Sequence, residues 1–274
     1  MEELHPDVAY LLGLIVARGE IGHGVIRIHF PYKSKELNGY DVERSMIVSL
    51  NTIRERLGRL VYDIYQEQTT FILRFKPTAM DFRWLKALLR GRTSHYRFEI
   101  PQEIFNSDIE IKKEFIRGYA DIAGSVRRFN RDWSGMHRVQ LDILNENWTL
   151  PVQLCYLLQC HLEIPVHTID WGVPPKRTGK EHQLKVYVND FQKVGFYIQH
   201  KREAIGELLL ENQKRGFKGT SFCYERKRRI GRKVEIPDQE GFPVQIRGKT
   251  FSHYTEICVA LGCTVKDRKC NDEE

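Results

Sequence analysis

Nowhere in the 274 residues does an apolar run approach the ~20 that a membrane span requires, so no membrane partner is expected. The opening segment, MEELHPDVAY, carries acids where a secretory leader would carry basic residues, and no export signal is expected. Cysteine is scarce and irregular, with six in the chain and none in a CxxC pair. That usage speaks against a disulfide framework and points to reduced thiols in a cytoplasmic protein. His253, Cys258, Cys263 and Cys270 are separated by four, four and six residues; without a short CxxC knuckle, zinc is not expected. Cys155 and Cys160 lie in the apolar run LPVQLCYLLQCHL and are expected in the core.

What the chain does contain is an ordinary globular composition, 41% apolar and 29% charged, and one ten-residue pattern written twice. Leu11 to Glu20 (LLGLIVARGE) and Ile116 to Ser125 (IRGYADIAGS) lie 105 positions apart. Before the first copy, Pro6 and Asp7 open a helix whose Val8, Leu11, Leu12 and Ile15 recur on one face. Before the second, Ser107 and Glu110 read as a capping box, and Ile111, Phe115 and Ile122 form the apolar stripe. Gly19 and Gly124 end the two helices. Gly13 and Ala17, one turn apart, leave room for a second helix backbone to approach.

The elements that follow each copy also repeat. The first half reads as strands at Val25–Phe30 and Met46–Leu50, a helix near Thr52–Arg59, strands at Val61–Gln66 and Thr70–Lys76, and a helix near Phe82–Leu89. The second half reads as strands at Ser125–Arg128 and Arg138–Leu144, a helix over Leu150–Leu162, strands at Pro165–Trp171 and His182–Asn189, and a helix over Lys201–Glu211. The expected divisions are a first repeat over 1–106, a second over 107–213, a basic linker over 214–240 and a small helical extension over 241–274. The extension reads as a strand, a turn at Gly248 and an amphipathic helix over about Ser252–Leu261.

The net charge of +7 is concentrated. Between Lys214 and Lys233 nine basic residues, Arg226, Lys227, Arg228 and Arg229 among them, face one acid, Glu225. Such a run suits a polyanion, because each neutralised phosphate releases condensed counterions; it also suits a solvated linker.

The segments LLGLIVARGEI, EIPQEIFNSDIEIKKEFIRGYADIAGSV, RVQLDILNENW, LEIPVHTIDWG and FYIQHKREAIGELL together resemble the LAGLIDADG homing endonuclease family in its single-chain, two-repeat form. The resemblance covers residues 4 to about 212. It implies an α+β fold of two pseudo-symmetric αββαββα repeats, with the motif helices at their interface. Two antiparallel sheets would then form a saddle over double-stranded DNA, in a monomer with internal pseudo-two-fold symmetry. A two-stranded ribbon fits the major groove, where base edges carry a distinguishable code. On the strands, Arg27, His29, Arg74, Arg127, Arg128, Arg138, Gln140 and Lys185 are the candidate DNA contacts, together with the Arg226–Arg229 run. The C-terminal extension resembles the small helical modules that several homing endonucleases append as further DNA contacts.

Phosphodiester cleavage in this family implies magnesium, a hard cation held by carboxylates, one immediately before the final glycine of each motif. Here those positions are Arg18 and Ala123, neither of which binds magnesium. Two nearby acids remain as candidate catalytic and metal-binding residues, Glu20 and Asp121. Glu20 reads equally as a ligand or as a surface acid at a strand entry. Asp121 lies two residues before Ala123, ~200° around the helix, which suits a structural hydrogen-bonding role. Lys201, after the strand-like FYIQH, and Lys76, after FILRF, match the basic residue that the family places near its active site; each also reads as a phosphate contact or a solvated lysine. The residues therefore leave three functions open: a site-specific, metal-dependent DNA endonuclease of homing or restriction type, a catalytically inactive DNA-binding protein, and an RNA-binding, maturase-like protein.

Overall fold

His5 caps the first helix, its Nδ1 accepting the Asp7 N–H at 3.3 Å, and Pro6 occupies the first turn, where a missing N–H costs nothing. The computed structural model describes residues 4–32, 36–37, 39–58, 61–128, 136–144, 149–166, 168–170 and 182–217, with the backbone of 244–246 and 249–251. Contacts divide the chain into two compact units, Met1–Gly124 with Val194–Gly206, and Ser125–Lys193 with Glu207–Glu274.

In the first unit, α1 (Pro6–Arg18) leads into β1 (Gly19–Gly22) and β2 (Val25–Pro31). A short ladder of β3 (Glu36–Leu37) and β4 (Tyr40–Asp41) precedes α2 (Val42–Leu57). Then come β5 (Val61–Glu67), β6 (Thr70–Phe75), α3 (Ala79–Leu88), α4 (Gln102–Asn106) and α5 (Ile109–Ala123). The sheet is antiparallel in the order β1-β2-β6-β5. Its core face is built from cross-strand pairs Ile26 with Phe75, Ile28 with Leu73, and Phe30 with Phe71, all buried.

The expected order of helix, two strands, helix, two strands, helix is present, but one strand is misplaced. Met46–Leu50 is helical, not extended. Asp41 caps α2 by accepting the Arg44 N–H at 2.9 Å, and Val42, Ser45, Met46, Ser49, Leu50 and Ile53 fall on its buried face at helical spacing. The sheet's other strand is instead Gly19–Gly22, which pairs from Gly19 opposite Ile28 to Gly22 opposite Val25. Two further local expectations change. Asp108, not Ser107, caps α5, accepting the Ile111 N–H at 3.0 Å. The segment Phe196–His200 is not a strand, since α8 (Gln199–Lys214) begins within it.

In the second unit, β7 (Gly124–Arg127) and β8 (Arg138–Ile143) are followed by α6 (Thr149–Tyr156), a π-helical turn over Leu157–His161, β9 (Thr168–Asp170), β10 (His182–Tyr187) and α7 (Val188–Phe191). The order β7-β8-β10-β9 repeats that of the first sheet. Val139 with Val186 and Leu141 with Leu184 form its core face. Cys155 is buried as expected, whereas Cys160 is half-exposed at the π-helical turn. Toward the C-terminus, β11 (Val244–Ile246) and β12 (Lys249–Phe251) pair antiparallel, and the expected turn at Gly248 lies outside the described residues. The expected helix at Ser252–Leu261 and the run Arg226–Arg229 lie outside the described residues.

The two motif helices touch backbone to backbone. A Cβ on Gly13 would come within 2.1 Å of the Phe115 carbonyl oxygen, and one on Gly118 within 2.2 Å of the Tyr10 carbonyl oxygen. Neither obstacle is a side chain that could swing away. Gly118→Val is therefore expected to force α1 and α5 apart and to lower stability by at least the ~1–3 kcal/mol typical of overpacking, read as a fall in the urea midpoint. Gly206→Ala, on the exposed side of α8 with open space around it, is the control and should stabilise by about 0.5–1 kcal/mol.

Candidate nucleic-acid interface and motif-helix site

Away from its core, the first sheet carries a charged row that crosses all four strands. Glu20 on β1 stands opposite Arg27 on β2, Arg27 opposite Arg74 on β6, and Arg74 opposite Asp63 on β5. The order acid, base, base, acid follows from strand register, and Arg27 and Arg74 alternate with buried apolar neighbours. Arg27 is exposed. Arg74 is half-buried, 3.4 Å from Asp63 and over the Tyr65 ring at 5.8 Å. His29, two residues from Arg27 on the same face, lies 3.7 Å from Glu20. Lys76 is exposed just past β6.

The second sheet is less open than its alternation suggested. Arg127, on the edge strand β7, is exposed, and its Nε donates to Ser125 Oγ at 3.0 Å. Gln140 is half-exposed and donates to Asp142 at 2.7 Å. Arg138 and Lys185, expected to face outward, are only 5% and 8% exposed. Both stand on the inner strands of the sheet, β8 and β10. Arg128 turns to α8 instead, 3.2 Å from Glu211 and 3.8 Å from Glu207.

The ends of the motif helices are chemically unlike each other. At the end of α1, Arg18 is half-buried and donates to the Ala17 carbonyl at 3.0 Å. Glu20 follows on β1, its side chain 49% exposed. His95, missed in the sequence, closes this corner: its N–H donates to the Gly19 carbonyl at 3.0 Å, and its ring lies 3.3 Å from the same oxygen. Burial, then the nearby Arg18 charge, lowers the His95 pKa, so the ring is neutral.

At the end of α5, Ala123 is buried and Asp121 is saturated. The Asp121 carboxylate accepts the Tyr10 hydroxyl at 2.7 Å, the Tyr197 N–H at 2.9 Å and the Ile198 N–H at 3.1 Å, and is 1% exposed. Burial pushes its carboxyl up to about 6, against the hydrogen bond from Tyr10 and the attraction of Lys201. Lys201 donates to the carbonyls of Asp121 at 2.6 Å and Ala120 at 3.3 Å, placing a cation on the negative end of α5.

Around this core runs a polar network that the sequence did not reveal. Arg56 on α2 reaches Asp7 at 2.7 Å and Glu114 at 2.9 Å, with its guanidinium 4.6 Å above the Tyr10 ring and 4.7 Å from that of Tyr197. Burial works against this charge, but Asp7 and Glu114 outweigh it and hold the Arg56 pKa above its ordinary value. Arg117 pairs with Glu114 and donates to the Val194 carbonyl at 2.7 Å. The available signal was Tyr10 itself: a tyrosine on a buried helix face needs a partner for its hydroxyl.

A magnesium ion implied by the family resemblance does not fit these residues. Arg18 and Ala123 supply no oxygen where the carboxylates would stand, and Asp121 already receives donors from its own chain. Among the described residues, no three His, Cys, Asp or Glu side chains gather as a metal cage.

The αββαββα order runs twice along the chain, from α1 and again from α5, and these two helices meet at glycines. This is the fold that the LAGLIDADG resemblance implies. No family model and no curated protein matches the chain. Among solved structures it is similar to I-DmoI in complex with DNA and calcium, at 16% identity, with 68% of this chain and 86% of that one covered and a TM-score of 0.40. It is also similar to the N-terminal LAGLIDADG domain of DUF199/WhiA, at 15% identity, 77% and 86% coverage and a TM-score of 0.41. For the I-SmaMI LAGLIDADG homing endonuclease bound to cleaved DNA, the values are 11%, 80% and 94%, and 0.41.

Because the folded Asp121 pKa is raised, its contribution to stability is complete below about pH 4, where the unfolded carboxyl is also protonated, and is lost as pH rises through about 6. Urea midpoints of the native chain should therefore fall relative to those of Asp121→Asn between pH 4 and pH 6 and run parallel above pH 7.

Proposed function

We propose that the protein recognises specific double-stranded DNA through the polar faces of its two four-stranded sheets, one in each unit. The row Glu20, Arg27, Arg74 and Asp63 carries this reading. In the major groove an arginine takes the O6 and N7 acceptors of guanine in a bidentate pair, and a carboxylate accepts from the N4 amino group of cytosine. A row ordered acid, base, base, acid is therefore suited to a run of G·C pairs rather than to the phosphate backbone alone. Arg127 and Gln140 extend the polar face on the second sheet. The Arg226–Arg229 run adds a sequence-independent phosphate contact.

Recognition without metal-assisted cleavage is the function these residues support best, since the motif ends offer an arginine and an alanine where two carboxylates are required. One observation favours a cutting role: Glu20 is exposed beside His29 at the end of α1. In that second reading Glu20, Lys76 and Lys201 are the catalytic candidates.

A randomised duplex library incubated with the full chain and magnesium or manganese separates the two readings. Recognition predicts retained, intact duplexes enriched in G·C steps. Cut ends that disappear in Glu20→Gln would establish cleavage instead. Arg27→Ala should weaken retention of the selected site by ~1–3 kcal/mol and relax the preference at a single base pair. Replacing Arg226 to Arg229 with alanine should flatten the salt slope equally for all sequences. Tighter retention of structured RNA than of duplex DNA would favour the maturase-like alternative.

A further inference from the structure

The strongest unassigned surface lies on α3 and the loop after it. Residues 82–98, FRWLKALLRGRTSHYRF, hold Arg83, Lys86, Arg90, Arg92 and Arg97 and no carboxylate. Glu99, just beyond, ties down Arg92 at 2.5 Å and lies 3.6 Å from Arg90. Arg83 and Lys86 are exposed three residues apart on one side of α3, and Arg90 is exposed in the turn just past its end, at a positive φ of 51°.

Beside these cations, large apolar side chains stand in solvent. Met80 is 72% exposed and Trp84 43%; Tyr96, on the following loop, is 44% exposed. Trp84 also helps to line a cleft of about 120 Å³ together with Leu11, Ile26, Phe75, Leu85 and Asp81. One oxygen of Asp81 accepts the Thr78 hydroxyl at 2.6 Å, leaving the other for a donor from outside.

Shape and charge select the occupant. A cleft this small admits one planar ring, not the row of anchors that a docked amphipathic helix inserts. The surrounding charge is positive, which suits phosphates. A ring joined to phosphates is a nucleotide, and only an unpaired strand can offer its base face to a tryptophan. We infer that α3 and its following loop form a second nucleic-acid surface, specific for single strands, in which Trp84 stacks a base, Arg83, Lys86 and Arg90 contact phosphates, and Asp81 accepts an exocyclic amino group. The carboxylate favours cytosine and adenine, which carry that group, over thymine and uracil.

The site does not depend on the duplex reading, and the test keeps the two apart. Fluorescence anisotropy with the full chain would compare labelled 12-nucleotide oligo(dC) and oligo(dT) with a G·C-rich hairpin duplex. The expected result is micromolar or tighter binding of oligo(dC), weaker binding of oligo(dT), and a roughly tenfold loss of single-strand affinity in Trp84→Ala with duplex affinity unchanged. Lys86→Ala should reduce the single-strand salt slope by about 0.7. Asp81→Ala should bring the two oligonucleotides to equal affinity. Arg27→Ala should leave all single-strand values in place. No single-strand binding by the native chain, no effect of Trp84→Ala, or a parallel loss of single-strand and duplex affinity in that variant would each overturn the inference. An acidic amphipathic peptide that displaces nothing but binds in a Trp84-dependent way would assign the cleft to a protein partner and overturn it as well. Far-UV circular dichroism of each variant confirms that the fold is retained.

Discussion

At the middle of the first unit two helix backbones meet with no side chain between them. Gly13 lies against the peptide groups of Phe115 and Tyr119, and Gly118 against those of Tyr10 and Leu14. Contact at this distance fixes α1 and α5 by main-chain sterics, which have far less give than interdigitated side chains. Everything placed at the helix ends inherits that precision, including Arg18 and Glu20 at one end and Asp121 with Ala123 at the other. It also explains why so much polarity is tolerated in the interior. Tyr10, Glu114, Arg117 and Asp121 sit on or beside the contacting faces, and Arg56 and Tyr197 complete their hydrogen bonds. Buried ion pairs of this kind add little net stability, but a register error of one residue would leave each charge without its partner.

The chemistry of the helix ends follows from this saturation. A carboxylate that accepts a hydroxyl and two peptide N–H groups is a structural strut, whatever its place in a motif. The lysine beside it is likewise engaged with the last carbonyls of α5. What remains accessible is the outer face of the sheets and the exposed Glu20. The frame displays side chains at defined spacing, and among the described residues no three His, Cys, Asp or Glu side chains gather on it.

Much of this frame was legible in the sequence. The helix pair was readable because its glycines and apolar residues share the 3.6-residue period, and the strand pair Val61–Gln66 with Thr70–Lys76 because polar and apolar residues alternate there. Met46–Leu50 misled because five residues rich in branched side chains resemble a strand; the helical period appears only when the window widens to include Val42, Ser45 and Ile53. Gly19–Gly22 carries two glycines and a single strand-favouring residue, Ile21, and it is extended because β2 supplies its partner. Alternation identified the outer face of the second sheet but not how far inner strands bury their own lysine and arginine. The Arg56 network draws on residues more than a hundred positions apart, for which a single sequence gives no signal.

The start of α8 has a consequence for how the chain is made. Its first N–H groups, at Gln199 and His200, are received by the hydroxyls of Ser49 and Ser45 on α2, 150 and 155 residues earlier. Tyr197 and Ile198 likewise close onto Asp121. The first unit is thus interrupted by the whole of Ser125–Lys193 and is completed by Val194–Gly206. During synthesis the bonds made by Val194–Gly206 must wait until that segment has been translated. In that interval the serine hydroxyls, the Asp121 carboxylate and the Arg56 guanidinium lack their closing segment. A ribosome stalled between residues 125 and 193 would carry a first unit that can collapse but cannot lock.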